Sequence, residues 1–396
     1  MTRFQKFILV LLAAIAVPSM FGAGVIFYEN IWKTPLGSPL SPFTTENNLS
    51  GSTPTQGFGA QISSPSTTNL PQTYEKTLTT IYSTGTISTK KAPLCNGPES
   101  MKILAIGSDT RANNYLYGLS DVIRYVRIDF TKPQISVLEF PRDLWVEIPG
   151  ISDHYGITHG KLNQAYLYGN AGMGYYQGDD AGPGLLAKTL NLNFSAQPDH
   201  YIAANMQTFV RLVDAVGGID VNLPYSVDAR KPDQKKRKDL FFAAGFHHLD
   251  GEQALMLGRI REFSVFGRAD QQNRILCGLK KELISPKILL KLPDVITSFY
   301  GSVQTDLSPE QISQIACLIP KLNSKDILFT TFPRELLTES RTYDIGVKKD
   351  VYIFKADFEI LKTFVSAFDN GTWPIHNSDP VTSTPSPAGE GTFICP

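Results

Sequence analysis

The sequence predicts an α/β layered domain, and three observations predict it. Short apolar runs read as strands, stretches with helical spacing and capping signals lie between them, and polar clusters stand at the ends of the strand runs. Met101 to Ile106 is the first run and gives way to Gly107-Ser108-Asp109-Thr110-Arg111. Val122 to Phe130 and Gln134 to Phe140 are the next strand candidates, the second closed by Pro141-Arg142-Asp143. Helical patterns cover Gly182 to Leu192 and Met206 to Val216; Gly217-Gly218 is a sound stop for the latter, since glycine takes the left-handed conformation that ends helices. Gly218 to Leu223 returns to strand. Asp250 is placed to cap a helix over Gly251 to Arg261, with Gln253 at the capping-box position. Ser308-Pro309-Glu310-Gln311 opens another helix in the same manner, with proline in its first turn. The last long helix is expected over Asp350 to Asp369, and no internal repeat is visible.

The flanks have a different chemistry. Arg3 and Lys6 precede an almost uninterrupted apolar run from Phe7 to Phe27. About 20 residues at 1.5 Å each span a hydrocarbon core of roughly 30 Å, so residues 7–28 are expected to be a transmembrane anchor. The cations keep residues 1–6 cytoplasmic and send the rest of the chain outside, as a single-pass protein of the cell membrane with an extracytoplasmic domain. Pro18 and the small residues Ser19, Gly22, Ala23 and Gly24 leave a cleaved secretory signal as the alternative, and export holds either way. Residues 29–95 are rich in Ser, Thr and Pro and too poor in apolar side chains to offset the entropy of ordering them, which predicts a disordered linker. The main domain is expected over 96–284, an extension packed on it over 285–375, and a flexible tail over 376–396.

Lys+Arg and Asp+Glu both number 37, so the formal net charge is zero and the basic balance of a nucleic-acid-binding protein is missing. The run Arg230, Lys231, Lys235, Lys236, Arg237 and Lys238 reads as a solvated loop, with attraction to anionic lipid or polymer as the functional alternative. The spacing of the four cysteines excludes a CxxC metal clip, and an exported chain keeps disulfides. Cys95 with Cys395 would pin the tail to the domain's entrance. Cys277 and Cys317, on two predicted helices, would pair across a packed interface or remain buried thiols. These two pairings are the favoured ones.

Asp109 and Asp121 stand at neighbouring strand ends, where two carboxylates suit a hard cation such as Mg²⁺; each alone reads more simply as a turn or capping residue. Arg111, Arg142, Arg259, Arg261 and Arg268 all fall near element ends. Arginine gives planar, bidentate donation to phosphate oxygens, although a single arginine more often serves a surface ion pair. Arg259 and Arg261 would diverge on a helix and share a face on an extended chain.

The motifs ILAIGSDTR, SDVI, FPRDLWVEIPG, HGKLNQAYLYG, FVRLVDAVGGIDVNLPY, HHLDGEQAL, GRIR and FGRADQQ follow one another in an order that resembles the LytR-CpsA-Psr family, also labelled the cell envelope-related transcriptional attenuator domain. The resemblance covers about Ile103 to Leu279. It implies an α/β/α sandwich with a central mixed β-sheet, and a phosphotransferase that moves a glycopolymer from a polyprenyl pyrophosphate to peptidoglycan or another cell-wall acceptor. By position, it implies Mg²⁺ on Asp109 and Asp121, and Arg142, Arg259, Arg261 and Arg268 on the pyrophosphate, with Gln272, Arg111 and Lys161 near the head group. It also implies an apolar pocket for the lipid, for which Leu185, Leu186, Leu190, Phe209, Val210, Leu212, Val213, Leu255 and Leu257 are candidates with helical spacing; ordinary core is their simpler reading.

The chain departs from the family pattern at three places. Leu119 stands where the family commonly has Arg, Ser264-Val265-Phe266 where it has an acid before the final Gly-Arg, and Gln271-Gln272-Asn273 where it has Arg-Gln-Gln. Arg124 or Arg127 is a candidate for the missing charge, and Glu262 for the missing acid. These departures keep open an alternative, a catalytically degenerate polyprenyl-phosphate-binding envelope protein. Regulation of envelope genes is a third reading and would need a cytoplasmic domain that residues 1–6 do not supply.

Overall fold

The computed structural model describes residues 37–41, 92–110, 115–230, 232–235, 237–260, 265–285, 303–374 and 393–395. The expected anchor over 7–28 lies outside the described residues, among which no helix is long and apolar enough to cross a membrane. In chain order come β1 (Ser100–Ser108), β2 (Ser120–Asp129), β3 (Gln134–Glu139), β4 (Trp145–Glu147) and β5 (His159–Lys161), then helices α1 (Leu162–Gly169) and α2 (Ala181–Phe194). β6 (His200–Asn205), α3 (Met206–Val216), β7 (Ile219–Leu223), β8 (Val227–Asp228), β9 (Phe241–Phe242), β10 (Gly245–Leu249), α4 (Gly251–Arg259) and α5 (Val265–Leu283) follow. The chain continues through β11 (Val303–Thr305), α6 (Pro309–Leu318), β12 (Ile327–Thr331), β13 (Thr338–Asp344), β14 (Lys349–Lys355), α7 (Phe358–Asp369) and β15 (Phe393–Ile394).

The central sheet has the order β11-β6-β1-β2-β3-β12-β15 and is mixed: β1–β6 and β3–β12 are parallel pairs and the others antiparallel. Strand periodicity of two sorts its side chains into separate layers. Leu104, Ile106, Ile123, Tyr125 and Leu138 face one core with α1, α2 and α7. Met101, Ile103, Ile128 and Val137 face another core, closed by Cys277 of α5 and Leu318 of α6. A third cluster joins α3, α4 and α5 to the β7–β10 hairpin. The expected mixed α/β architecture with a central mixed sheet is therefore present. β11 and β12 belong to this same sheet, so residues beyond 285 complete the main layer of the fold.

The caps work where the sequence places them. Asn205 accepts from the Thr208 amide at the start of α3, Asp250 and Gln253 form a capping box on α4, and Ser308 and Gln311 form one on α6. One expected helix divides. Asp350 to Lys355 lies in strand β14, paired with β13 and burying Val351, Ile353 and Phe354, and helix begins only at Phe358, after the Asp357 cap. The favoured disulfides are corrected: Cys95 bonds Cys317 and Cys277 bonds Cys395, with Cα separations of 5.9 and 5.5 Å. Cys95 lies in a turn packed against α6, which carries Cys317. β15 pairs with β12 on the sheet edge, where Cys395 joins the α5 core rather than the turn before β1.

Residues 37–41 are docked on the domain. Leu40 packs against the α1–α2 core and its amide lies 3.4 Å from Asp306, and the Ser41 amide donates to Asp180 at 2.8 Å.

Candidate functional site

The polar ends of β1, β2 and β3 meet at one end of the sheet. Ser108 pairs with Ser120 while Gly107 pairs with Val122, so Asp121 is an extra residue in β2 with no partner opposite. Such a bulge breaks the alternation and re-aims one side chain. Asp121 turns to Arg142, just past β3, and the two form an ion pair. The Arg142 Nε donates to Asp143 at 3.3 Å, and the other Asp143 oxygen takes the Lys161 ammonium at 2.8 Å. Burial pushes the Asp143 carboxyl up, but the Lys161 hydrogen bond and the Arg142 charge outweigh it and hold the group below its ordinary value. Four charges of alternating sign are thus joined in a row, from Asp121 to Lys161.

The β1 end is braced separately. Asp109 accepts from the Leu119 amide at 2.7 Å, and the Ser108 and Thr110 hydroxyls share a 2.5 Å hydrogen bond. Gly118, at φ +137°, lets the return strand cross these side chains; a Cβ there would collide with the Thr110 hydroxyl. Asp109 and Asp121 stand on adjacent strand ends. Among the described residues no group of three or more His, Cys, Asp or Glu side chains is placed to hold a metal, so any cation here would rest on this pair plus waters or substrate oxygens.

The helical side of the site comes from α4 and α5. Arg259 is the exposed last residue of α4, and the helix ends there because Ile260 after it is extended (ψ 135°). Arg268 is buried, at 5% exposure, in the first half of α5. One turn on, Gln272 donates to the Gly258 carbonyl at 3.0 Å and accepts from Arg124 at 3.2 Å. Arg111 and Arg261 lie outside the described residues.

Between sheet and helices the apolar lining differs in part from the expected one. Leu185, Leu186 and Leu190 are fully buried in α2 on the opposite face of the sheet and are ordinary core. Ala105, Val122 and Ala204 on the sheet, with Phe209, Leu212 and Leu255 on the helices, are only half-buried. Two arginines of the basic run pair with neighbouring acids: Arg230 with Asp228 at 2.8 Å and Arg237 with Asp239 at 2.5 Å.

Sequence reasoning passed over Asp143 as a site residue, although a carboxylate following Pro-Arg at the end of an apolar strand was its available signal. It also left Glu139 and Asp270 unremarked, because only the packing of α5 on β2 and β3 makes them neighbours.

The family model of LytR_cpsA_psr matches residues 66–362. Regulatory protein MsrR of Staphylococcus aureus is 27% identical over 246 residues, which cover 60% of this chain and 67% of that protein. An Enterococcus faecalis protein named polyisoprenyl-teichoic acid–peptidoglycan teichoic acid transferase TagU is 27% identical over 266 residues, 66% of this chain and 76% of that one. Among solved structures, B. subtilis TagV has a likeness of fold, with a TM-score of 0.51 at 24% identity, covering 71% of this chain and 99% of that one.

Proposed function

The chain belongs to the LytR_cpsA_psr family, and from that premise we propose that it is a membrane-anchored, extracytoplasmic phosphotransferase. It moves a glycopolymer from a polyprenyl-pyrophosphate carrier to peptidoglycan or another cell-wall acceptor. The observation that carries this reading is the row Asp121, Arg142, Asp143 and Lys161 at the sheet's end, with Arg124 further along β2 bonded to Gln272 of the helix that bears Arg268. Cations held in place by buried acids suit an anion with several oxygens, because they need little reorganisation when charge shifts in the transition state. The half-buried apolar residues beside them suit a lipid. The name of TagU supplies the substrate class.

In the proposed reaction an acceptor hydroxyl oxygen bonds to the polymer-side phosphorus of the carrier. The bond from that phosphorus to the bridging oxygen breaks, polyprenyl phosphate leaves, and the hydroxyl proton is released. The polymer ends in a phosphodiester link to the acceptor. Such a transfer asks the protein for positioning and charge neutralisation more than covalent chemistry. Arg142, Arg259, Arg261 and Arg268 are assigned to the pyrophosphate oxygens, with Arg111, Lys161 and Gln272 near the head group. Asp109 and Asp121 would hold Mg²⁺, whose chemistry here is to neutralise phosphate charge.

The test is release of polyprenyl phosphate by the full-length chain in detergent, from a polyprenyl-pyrophosphate-linked saccharide with a peptidoglycan acceptor. Mg²⁺-dependent release that Arg268→Ala and Arg142→Ala abolish supports the transferase. Binding without release would give the degenerate carrier-binding reading, which the departures at Leu119, Val265 and Gln271 motivate. Neither binding nor release would remove both.

A further inference from the structure

A buried arginine beside this site has donors that no other described residue uses. Arg124 lies on β2, three residues beyond Asp121, and is 3% exposed. Its Nη2 donates to Glu139 of β3 at 2.9 Å and to Gln272 of α5 at 3.2 Å. The guanidinium carbon sits 5.6 Å from the centre of the Phe329 ring. Nε and Nη1 are buried and have no hydrogen-bond partner among the described residues. Buried donors are nearly always paired, since an unpaired one forfeits its hydration without return.

A purely structural ion pair explains this arrangement poorly. Burying two charges tends to cost more than their attraction returns unless the remaining donors are also satisfied, and here one nitrogen alone makes the hydrogen bonds. The location is suggestive as well. Gln272, which holds Nη2, is one helical turn from Arg268 and also ties down the carbonyl before Arg259. Val122 and Val126, on the same face of β2, are only half-buried. Arg127 is different. It faces the other layer, where its Nε donates to the Asp369 carbonyl at 3.1 Å and its Nη2 to Asp129 at 3.0 Å.

We propose that Arg124 is an additional phosphate-binding residue of this site, presenting Nε and Nη1 to head-group oxygens while Glu139 and Gln272 hold Nη2 in place. This rests on the carrier reading above and deepens it. The chain then supplies, from the floor of the sheet, a cation that it lacks at Leu119 and at Gln271. The chemistry recognised is a pyrophosphate, whether on a lipid or free.

Binding by the full-length chain in detergent tests it, with farnesyl pyrophosphate, inorganic pyrophosphate and farnesol as probes. The double variant Arg124→Gln/Glu139→Gln removes the pair without stranding a charge. It should weaken farnesyl pyrophosphate binding about tenfold or more, the usual effect of losing charge-assisted hydrogen bonds. Arg127→Gln should leave binding unchanged, and farnesol should not distinguish double variant from wild type. A parallel loss with inorganic pyrophosphate identifies the phosphates alone as the ligand; a loss confined to the farnesyl compound places the contact on a lipid-borne head group. Glu139→Gln alone is the check should the double variant fail to fold. Losing the carboxylate that holds Nη2 in place should weaken farnesyl pyrophosphate binding several-fold, whereas unchanged or tighter binding would overturn the proposal. Wild-type affinity in a folded double variant would also overturn it and leave the carrier reading standing. Absence of pyrophosphate binding by the wild type would overturn both.

Discussion

Asp270, on α5, allows a quantitative test of the buried charge layer between sheet and helix. Burial pushes its carboxyl up to about 6 from an ordinary 3.8, with Arg274 pulling down and Glu139 adding to the rise. The folded state therefore holds a proton there that the unfolded chain gives up. At pH below about 4 both states are protonated and the group has no effect on stability. As pH rises from about 4 to about 6 the folded state is penalised increasingly, and above 6 the penalty is constant. A shift of about two units at about 1.4 kcal/mol per unit sets a ceiling near 3 kcal/mol, and partial exposure of the side chain brings the expected value to about 1–2 kcal/mol. Asp270→Asn removes the titration. Urea unfolding of both proteins from pH 4 to 8 should give stabilities that converge at the acid end and separate toward neutrality, with the variant more stable by that amount above pH 6. Curves that stay parallel, or a variant that gains on acidification, would refute the reasoning.

Asp143 should show the opposite sign. Its carboxyl is held below the ordinary value by Lys161 and Arg142 against burial, so its contribution is present above about pH 4 and lost on further acidification; Asp143→Asn should flatten that acid limb and cost about 3 kcal/mol at neutral pH. Arg142→Lys keeps the charge but not the fork to Asp121 and Asp143, and transfer should fall about tenfold or more in the release assay with the fold intact by circular dichroism. Peptide mapping without reductant should recover Cys95 with Cys317 and Cys277 with Cys395, and replacing the second pair by serine should lower unfolding stability by about 2–4 kcal/mol.

Local signals were legible wherever the chain's nearest neighbours in sequence decide the structure. The Gly217 stop, the Asp250 and Ser308 caps and the first three strands needed no tertiary context. Asp350 to Lys355 reads as helix because its apolar residues run on toward a true one; the Asp357 cap marks where that helix starts, and pairing with β13 decides what precedes it. The cysteine pairing depends on where β15 joins the sheet, which two residues at the end of a polar tail do not announce. In the site, the residue types were readable and their grouping was not. Arg124 and Arg127 differ only in the parity of their positions on β2, and that parity, set by the sheet's two cores, sends one to α5 and the other to α7. Asp121 escapes the same alternation through its bulge, a feature visible only once β1 is laid beside β2.

The docking of residues 37–41 bears on how the domain meets a substrate embedded in a bilayer. With the proposed anchor ending at residue 28, about twelve residues at no more than 3.6 Å each would separate the membrane from the Leu40 and Ser41 amides clipped to Asp306 and Asp180, a reach of roughly 40 Å at most. The longer stretch up to residue 92 then begins and ends on the domain, and adds nothing to that reach. On that proposal, encounter with a membrane-borne carrier would be a search across a plane, with the local concentration of site and head group set by this tether rather than by the size of the compartment.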